Sequence, residues 1–176
     1  MDIFSPEGTM KARIALTTIL ALAAVSVAAC DDDDDPTGGG TVTQNFSATL
    51  TGDAERPDPV STAATGSDGL TATITGGTGG AVTITYSVTV DGLSGGASAA
   101  HIHGPATVDA AADIIVPLTV TGTGTSGAII TGSFTTTGNP NVSMDSLLVL
   151  MRNGNSYVNV HTTQNPGGEI RGQIIR

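Results

Sequence analysis

The run Val82-Thr83-Ile84-Thr85-Tyr86-Ser87-Val88-Thr89-Val90 alternates apolar and polar side chains without a break. Val82, Ile84, Tyr86, Val88 and Val90 share one face and Thr and Ser take the other, the pattern of a half-buried strand in an antiparallel sheet. From residue 41 onward the chain is rich in Thr, Val and Ile. Gly interrupts these runs at intervals of roughly 8–12 residues, the spacing of a sandwich or barrel. Strands are expected over 44–51, 70–75, 81–90, 99–103, 114–121, 128–135, 156–162 and 169–175. The exception is 143–152, whose centre Leu147-Leu148-Val149-Leu150-Met151 does not alternate. Ser143 suits a helix N-cap and Gly154 a stop, so one short helix is expected there, with a buried strand as the rival. Asn165-Pro166-Gly167-Gly168 is turn chemistry and predicts a hairpin between the last two strands. The expected fold class is all-β: an antiparallel β-sandwich or Greek-key barrel of about eight strands with one short helix. Aromatic residues are only 3% of the chain, so Val, Ile and Leu must fill the core, with Phe46, Phe134 and Tyr86 as its largest members.

Ahead of these strands the pattern changes. Met10-Lys11-Ala12-Arg13 is cationic, and 14–29 then carries no charge. That stretch is shorter than the ~20 apolar residues of a spanning helix and suits the centre of a secretory signal peptide. It ends in Val27-Ala28-Ala29-Cys30, which resembles the lipobox of bacterial lipoproteins. There, small residues precede the cut and the cysteine thiol takes a diacylglycerol. Residues 1–29 are therefore expected to be a signal peptide, with Met10 as the expected start, because the two acids within 1–9 do not suit one. Residues 31–35 are all Asp, and Gly38 to Gly40 follow shortly after. Such a run stays solvated and flexible, so 30–41 reads as a lipidated Cys30 with an acidic, Gly-rich tether, and 42–176 as the β-domain. The expected product is an exported protein, lipid-anchored in the cell envelope on its periplasmic or surface face, with the membrane as one partner.

Six Lys and Arg against 16 Asp and Glu leave a net charge of -10, which argues against a nucleic-acid partner. Half of that charge is the tether, so the folded part is only mildly acidic. A single Cys excludes an intramolecular disulfide framework and a multi-Cys zinc site. No Ser sits in a G-x-S-x-G elbow, and Glu55, in Asp53-Ala54-Glu55-Arg56-Pro57, has no evident partner acid for glycoside chemistry.

The informative segments are Ala100-His101-Ile102-His103-Gly104-Pro105, Tyr157-Val158-Asn159-Val160-His161-Thr162 and Gly168-Glu169-Ile170-Arg171-Gly172-Gln173. Residues two apart on a strand share a face. Ile102, Val158, Val160, Ile170 and Ile174 then form apolar faces, and His101, His103, Asn159, His161, Glu169 and Arg171 gather on the opposite, polar one. Two imidazoles at H-x-H spacing with a third from a neighbouring strand make a set suited to copper or zinc. Glu169, nearly opposite His161 in a simple hairpin, is placed to accept that ring's second N–H. The same residues also suit a purely structural polar cluster that hydrogen-bonds to loops, or a surface for an anion or glycan. A shared ion requires the imidazole nitrogens to converge to about 4 Å, and a spread above about 8 Å leaves no shared site.

In order and spacing these segments resemble the CHRD domain, the module of chordin that is also widespread in bacterial secreted proteins. Phe46-Ser47-Ala48-Thr49-Leu50-Thr51-Gly52, Glu55-Arg56-Pro57-Asp58-Pro59-Val60 and Ala63-Ala64-Thr65-Gly66 open the match. The H-x-H segment, the Tyr157 segment and Asn165-Pro166-Gly167-Gly168-Glu169-Ile170-Arg171-Gly172-Gln173-Ile174 complete it. Arg56 and Asp58 stand where the family more often has an apolar residue and Pro. The resemblance implies a β-sandwich or barrel and no established activity. In chordin the module lies in a growth-factor antagonist whose cysteine-rich modules are credited with ligand binding. The H-x-H strand is also loosely similar to copper–zinc superoxide dismutase, which has more metal ligands and a disulfide that this chain cannot form. Two readings follow. One is a non-catalytic binding or structural module whose partner is an extracellular or periplasmic protein or glycan. The other is a copper- or zinc-binding envelope protein using His101, His103 and His161, with superoxide dismutase-like redox activity if copper keeps an open position.

Overall fold

The computed structural model describes residues 40–75 and 79–176. The expected signal peptide, Cys30 and the tether up to residue 39 lie outside the described residues. Eight strands follow along the described residues: β1 (Thr41–Thr51), β2 (Thr65–Thr75), β3 (Ala81–Asp91), β4 (Ala97–His103), β5 (Ile114–Leu118), β6 (Gly127–Phe134), β7 (Tyr157–Thr162) and β8 (Ile170–Gln173). Among the described residues one α-helix, α1 (Met144–Arg152), lies between β6 and β7, and a single 3-10 turn (Gly52–Ala54) follows β1. The strands form one antiparallel sheet in the order β5-β4-β7-β8-β1-β2-β3-β6. Its two ends meet just beyond β5. Val120 bridges Ile130, and the N–H groups of Thr121 and Gly122 both donate to the carbonyl of Ile129, at 2.7 and 3.2 Å. The sheet thus nearly closes into a barrel, which removes most of its exposed edges.

Each expected strand forms, with shifted ends. β1 begins at Thr41, inside the stretch ascribed to the tether, because its ladder with β2 continues as far as Thr41 opposite Thr75. β2 starts at Thr65, well before residue 70: Gly66 and Gly69 break the side-chain alternation but not the backbone ladder. α1 forms where the alternation stops. Ser143 caps it, accepting from the N–H of Ser146 at 3.1 Å, and Gly154 leaves it at φ 64°. Leu147, Leu148 and Met151 turn inward, while Val149 is exposed.

The barrel interior is built from the predicted inward rows. Phe46, Ala48 and Leu50 come from β1; Leu70 and Ala72 from β2; Ile84, Tyr86, Val88 and Val90 from β3. Burying each larger aliphatic side chain stabilises the fold by about 1.5–3 kcal/mol. Phe134 is only partly buried, because it ends β6 and leans on Tyr86 with ring centroids 6.1 Å apart. One polar side chain interrupts these rows. Asp68, opposite Ala48 and Val88, is 4% exposed, and neither of its carboxylate oxygens has a hydrogen-bond partner among the described residues. Burial pushes its pKa up to about 7.

Candidate metal centre

β4, β7 and β8 lie side by side and carry every residue singled out on the polar faces except Glu169, which immediately precedes β8. Ile102, Val158, Val160, Ile170 and Ile174 are fully buried toward the barrel. Pleating therefore turns His101, His103, Asn159, His161 and Arg171 to the other side of the sheet. The sequence suggests a polar surface there, and the structure instead makes it a second, polar interior. His103, Asn159 and Arg171 are buried, and only His101 and His161 are half-buried. Two loops cover this face. From 104–113, the carbonyls of Ala106, Thr107 and Ala112 accept from Gln173 Nε2 (2.7 Å), Arg171 Nη2 (3.0 Å) and His103 Nδ1 (2.9 Å). From 52–64, Glu55 Oε1 accepts from Asn159 Nδ2 at 2.5 Å.

Register brings the imidazoles together. His103 lies opposite Tyr157, His101 opposite Asn159, and His161 opposite Ala99. The small Ala99 leaves His161 free to lean diagonally toward His101, so that His101 Nδ1 and His161 Nε2 are 3.0 Å apart. One ring nitrogen from each of His101, His103 and His161 lies within 4.8 Å of the others. Backbone carbonyls set the tautomers. A carbonyl only accepts, so the 2.9 Å contact of His103 with Ala112 O and the 3.0 Å contact of His161 with Pro166 O place the proton on each Nδ1. Both Nε2 atoms then carry the lone pair and serve as acceptors. His161 Nε2 receives the Nδ1–H of His101, and His103 Nε2 is buried with no hydrogen-bond partner among the described residues.

The electrostatics keep the rings neutral. Burial, reinforced by His161 and His103, lowers His101 to about 4. Burial also lowers His103 and His161, against the opposing pull of the Ala112 and Pro166 carbonyls. Neutral imidazole is the form that ligates a metal. Tetrahedral bonds of 2.0–2.1 Å put ligand nitrogens about 3.3 Å apart, so the widest separation here closes by roughly 1.5 Å around an ion. The spread falls between the separation of about 4 Å that a shared ion requires and the about 8 Å that excludes one, much nearer the first.

The model of the CHRD domain family matches residues 46–174, which takes in both covering loops and all three histidines. The chain belongs to this family. No curated protein and no solved structure matches it.

Within this CHRD domain three residues have roles that strand alternation does not convey. Glu169 does not accept from His161. β8 begins only at Ile170, so the pleat does not extend to Glu169, and Gly168 at φ 128° turns the chain just before it. The Glu169 carboxylate is instead buried among Ser94 N–H (2.8 Å), Ser94 Oγ (2.6 Å), Thr162 Oγ1 (2.7 Å) and Thr62 Oγ1 (3.0 Å). Burial raises its pKa, but these four donors outweigh that and hold it below the ordinary carboxylate range. Glu55 is brought in by a loop from 104 positions away and takes the amide of Asn159. Burial pushes it up to about 7, against Arg171, the Asn159 hydrogen bond and Arg56. Tyr157 stacks flat on His103 with centroids 4.8 Å apart, and the guanidinium carbon of Arg171 lies 3.6 Å from the Tyr157 ring centre.

Proposed function

We propose that this CHRD domain is a metal-binding module of the bacterial cell envelope, taking one copper or zinc ion on His101, His103 and His161. The observation that carries the reading is the convergence of three neutral ring nitrogens within 4.8 Å, two of them aimed by backbone carbonyls. An all-imidazole set suits copper and zinc better than the hard cations that prefer oxygen. The reading is one of binding rather than catalysis. Superoxide dismutation belongs to a copper-loaded form with an open position and calls for its own assay. The resemblance of Val27-Ala28-Ala29-Cys30 to a lipobox and the acidic run after it support a lipid anchor that holds the domain off the membrane.

The test is elemental analysis of the purified chain after exposure to copper and to zinc, beside a His101→Ala/His103→Ala double variant. About one ion per chain is expected in the first and none in the second. Equal, near-zero content in both ends the metal reading and leaves a binding or structural module whose partner is an envelope protein or glycan. For the anchor, Cys30→Ala is expected to move the protein from the membrane fraction to the soluble one.

A further inference from the structure

We infer that Glu55 is the counter-charge of the histidine site: while the site is free of cation its buried carboxyl is divided between the neutral and ionised forms, and it ionises fully when a divalent ion binds. The inference rests on the metal reading above and adds a regulation to it.

The argument begins with Arg171. Its guanidinium is charged at any physiological pH and is 1% exposed. Nη2 donates to Thr107 O and to Gln173 Oε1, at 3.0 and 3.4 Å, whereas Nη1 has no hydrogen-bond partner among the described residues. The group sits against Tyr157, and Tyr157 sits against His103. A fixed positive charge thus stands one aromatic ring away from a proposed ligand, and it is among the charges that disfavour a cationic His103. A dication entering the trio meets the same repulsion, in an interior where charges are weakly screened.

Glu55 is positioned to offset it. The carboxyl is 4% exposed and bound to Asn159, which lies in register with His101 on one side and with Arg171 on the other. Around Glu55 stand Arg171 from β8, Asn159 from β7 and, beyond Asn159, His101 from β4. Its own loop supplies Arg56, which is drawn at 3.8 Å toward Asp109 of the 104–113 loop. The hairpin turn supplies only Gly168, which has no charge. The other acids near this face do not serve. Asp109 and Asp113 are exposed, and Glu169 is held ionised by four donors and turned toward Thr162. Burial opposed by Arg171 leaves Glu55 balanced near neutrality, so a nearby dication decides its state. Without that ionisation the ion and the guanidinium share one buried face uncompensated. With it, the proton leaves to solvent and the added charge falls from two to one.

The test is a zinc titration of the full chain at pH 7, read by proton release, for wild type and Glu55→Gln. Wild type is expected to release about half a proton more per zinc than the variant. Its zinc affinity is expected to tighten from pH 6 to pH 8 more steeply than that of the variant. Equal release and equal slopes overturn the inference. An infrared difference spectrum of wild type at pH 6, with and without zinc, needs no variant to fold. Loss of a protonated-carboxyl band on zinc binding supports the inference, and bound zinc with no such loss overturns it. If wild type takes up no zinc at all, the metal reading fails and the inference fails with it. If zinc binds without a proton signal, only the inference fails.

Discussion

Tyr157 lies parallel to His103 across the β4–β7 pair, with ring centroids 4.8 Å apart and an interplanar angle of 0°. Both rings are tied to one loop residue. Ala112 O takes His103 Nδ1, and the Tyr157 hydroxyl accepts from Ala112 N at 3.2 Å. The aromatic ring therefore sets the plane of the imidazole while the loop sets its rotation and tautomer.

Replacing Tyr157 separates these contributions. Tyr157→Phe keeps the stack and loses only the hydroxyl link, so stability is expected to fall by about 0.5–1.5 kcal/mol with metal affinity near wild type. Tyr157→Leu also loses the face that His103 and Arg171 rest on. It is expected to cost about 2–3 kcal/mol and to weaken metal binding roughly 10-fold or more. Urea unfolding and a zinc competition titration on both variants check this.

Gly168 is required by what stands beside it. A Cβ there falls 2.5 Å from Asn159 Nδ2 and 2.8 Å from both Glu55 oxygens, at a φ of 128° that L residues rarely adopt. Gly168→Ala is expected to lose about 2–4 kcal/mol, combining backbone strain with displacement of the Glu55–Asn159 contact. Gly167→Ala, where a Cβ meets open space, is the control and is expected to stay near wild type in denaturant unfolding.

Most of the barrel is legible in the chain because its rows follow period two. Val82 to Val90 alternates on paper and in the structure alike. The two β4 histidines and His161 can be placed on one face by the same parity, and their meeting depends only on β4 pairing with β7. What alternation does not carry is the cover. Glu55 and Ala112 lie in loops, where side-chain direction has no period, so their arrival over Asn159 and His103 is not written in spacing. Glu169 deceives for a related reason: it stands one residue before its strand begins. Asp68 has the parity of a core residue and the chemistry of a surface one, and only burial reveals the conflict.

Asp68 makes stability depend on pH. Its folded pKa of about 7 lies above the ordinary Asp value. Its stabilising share is therefore complete below the unfolded pKa of about 4 and is lost as pH rises through 7. That loss is on the order of 3 kcal/mol between pH 4 and pH 8. Glu55 adds a loss of the same sign in the same window. Asp68→Asn keeps the shape without the charge. It is expected to match wild type at or below about pH 4, to exceed it increasingly up to pH 8, and to flatten the profile of unfolding midpoint against pH. An unchanged profile would mean that Asp68 reaches water or a partner in the folded state.

Glu169 gives the opposite slope. Its folded pKa is held down, so its share is present above the unfolded pKa and is lost as pH falls through the folded value. Its oxygens join Ser94, Thr62 and Thr162, which belong to three separate segments of the chain. Glu169→Gln keeps the size but mismatches the donors. It is expected to cost about 2–4 kcal/mol at pH 7 and progressively less toward acid, where wild type itself loses the carboxylate. Because the Glu169 carboxylate takes its hydrogen bonds from Thr62, Ser94 and Thr162 and none from the three imidazoles, folded Glu169→Gln is expected to bind zinc as wild type does. A variant that stays folded yet loses zinc would instead tie Glu169 to His161, and would mean that β8 pairs in a longer register than Ile170 to Gln173.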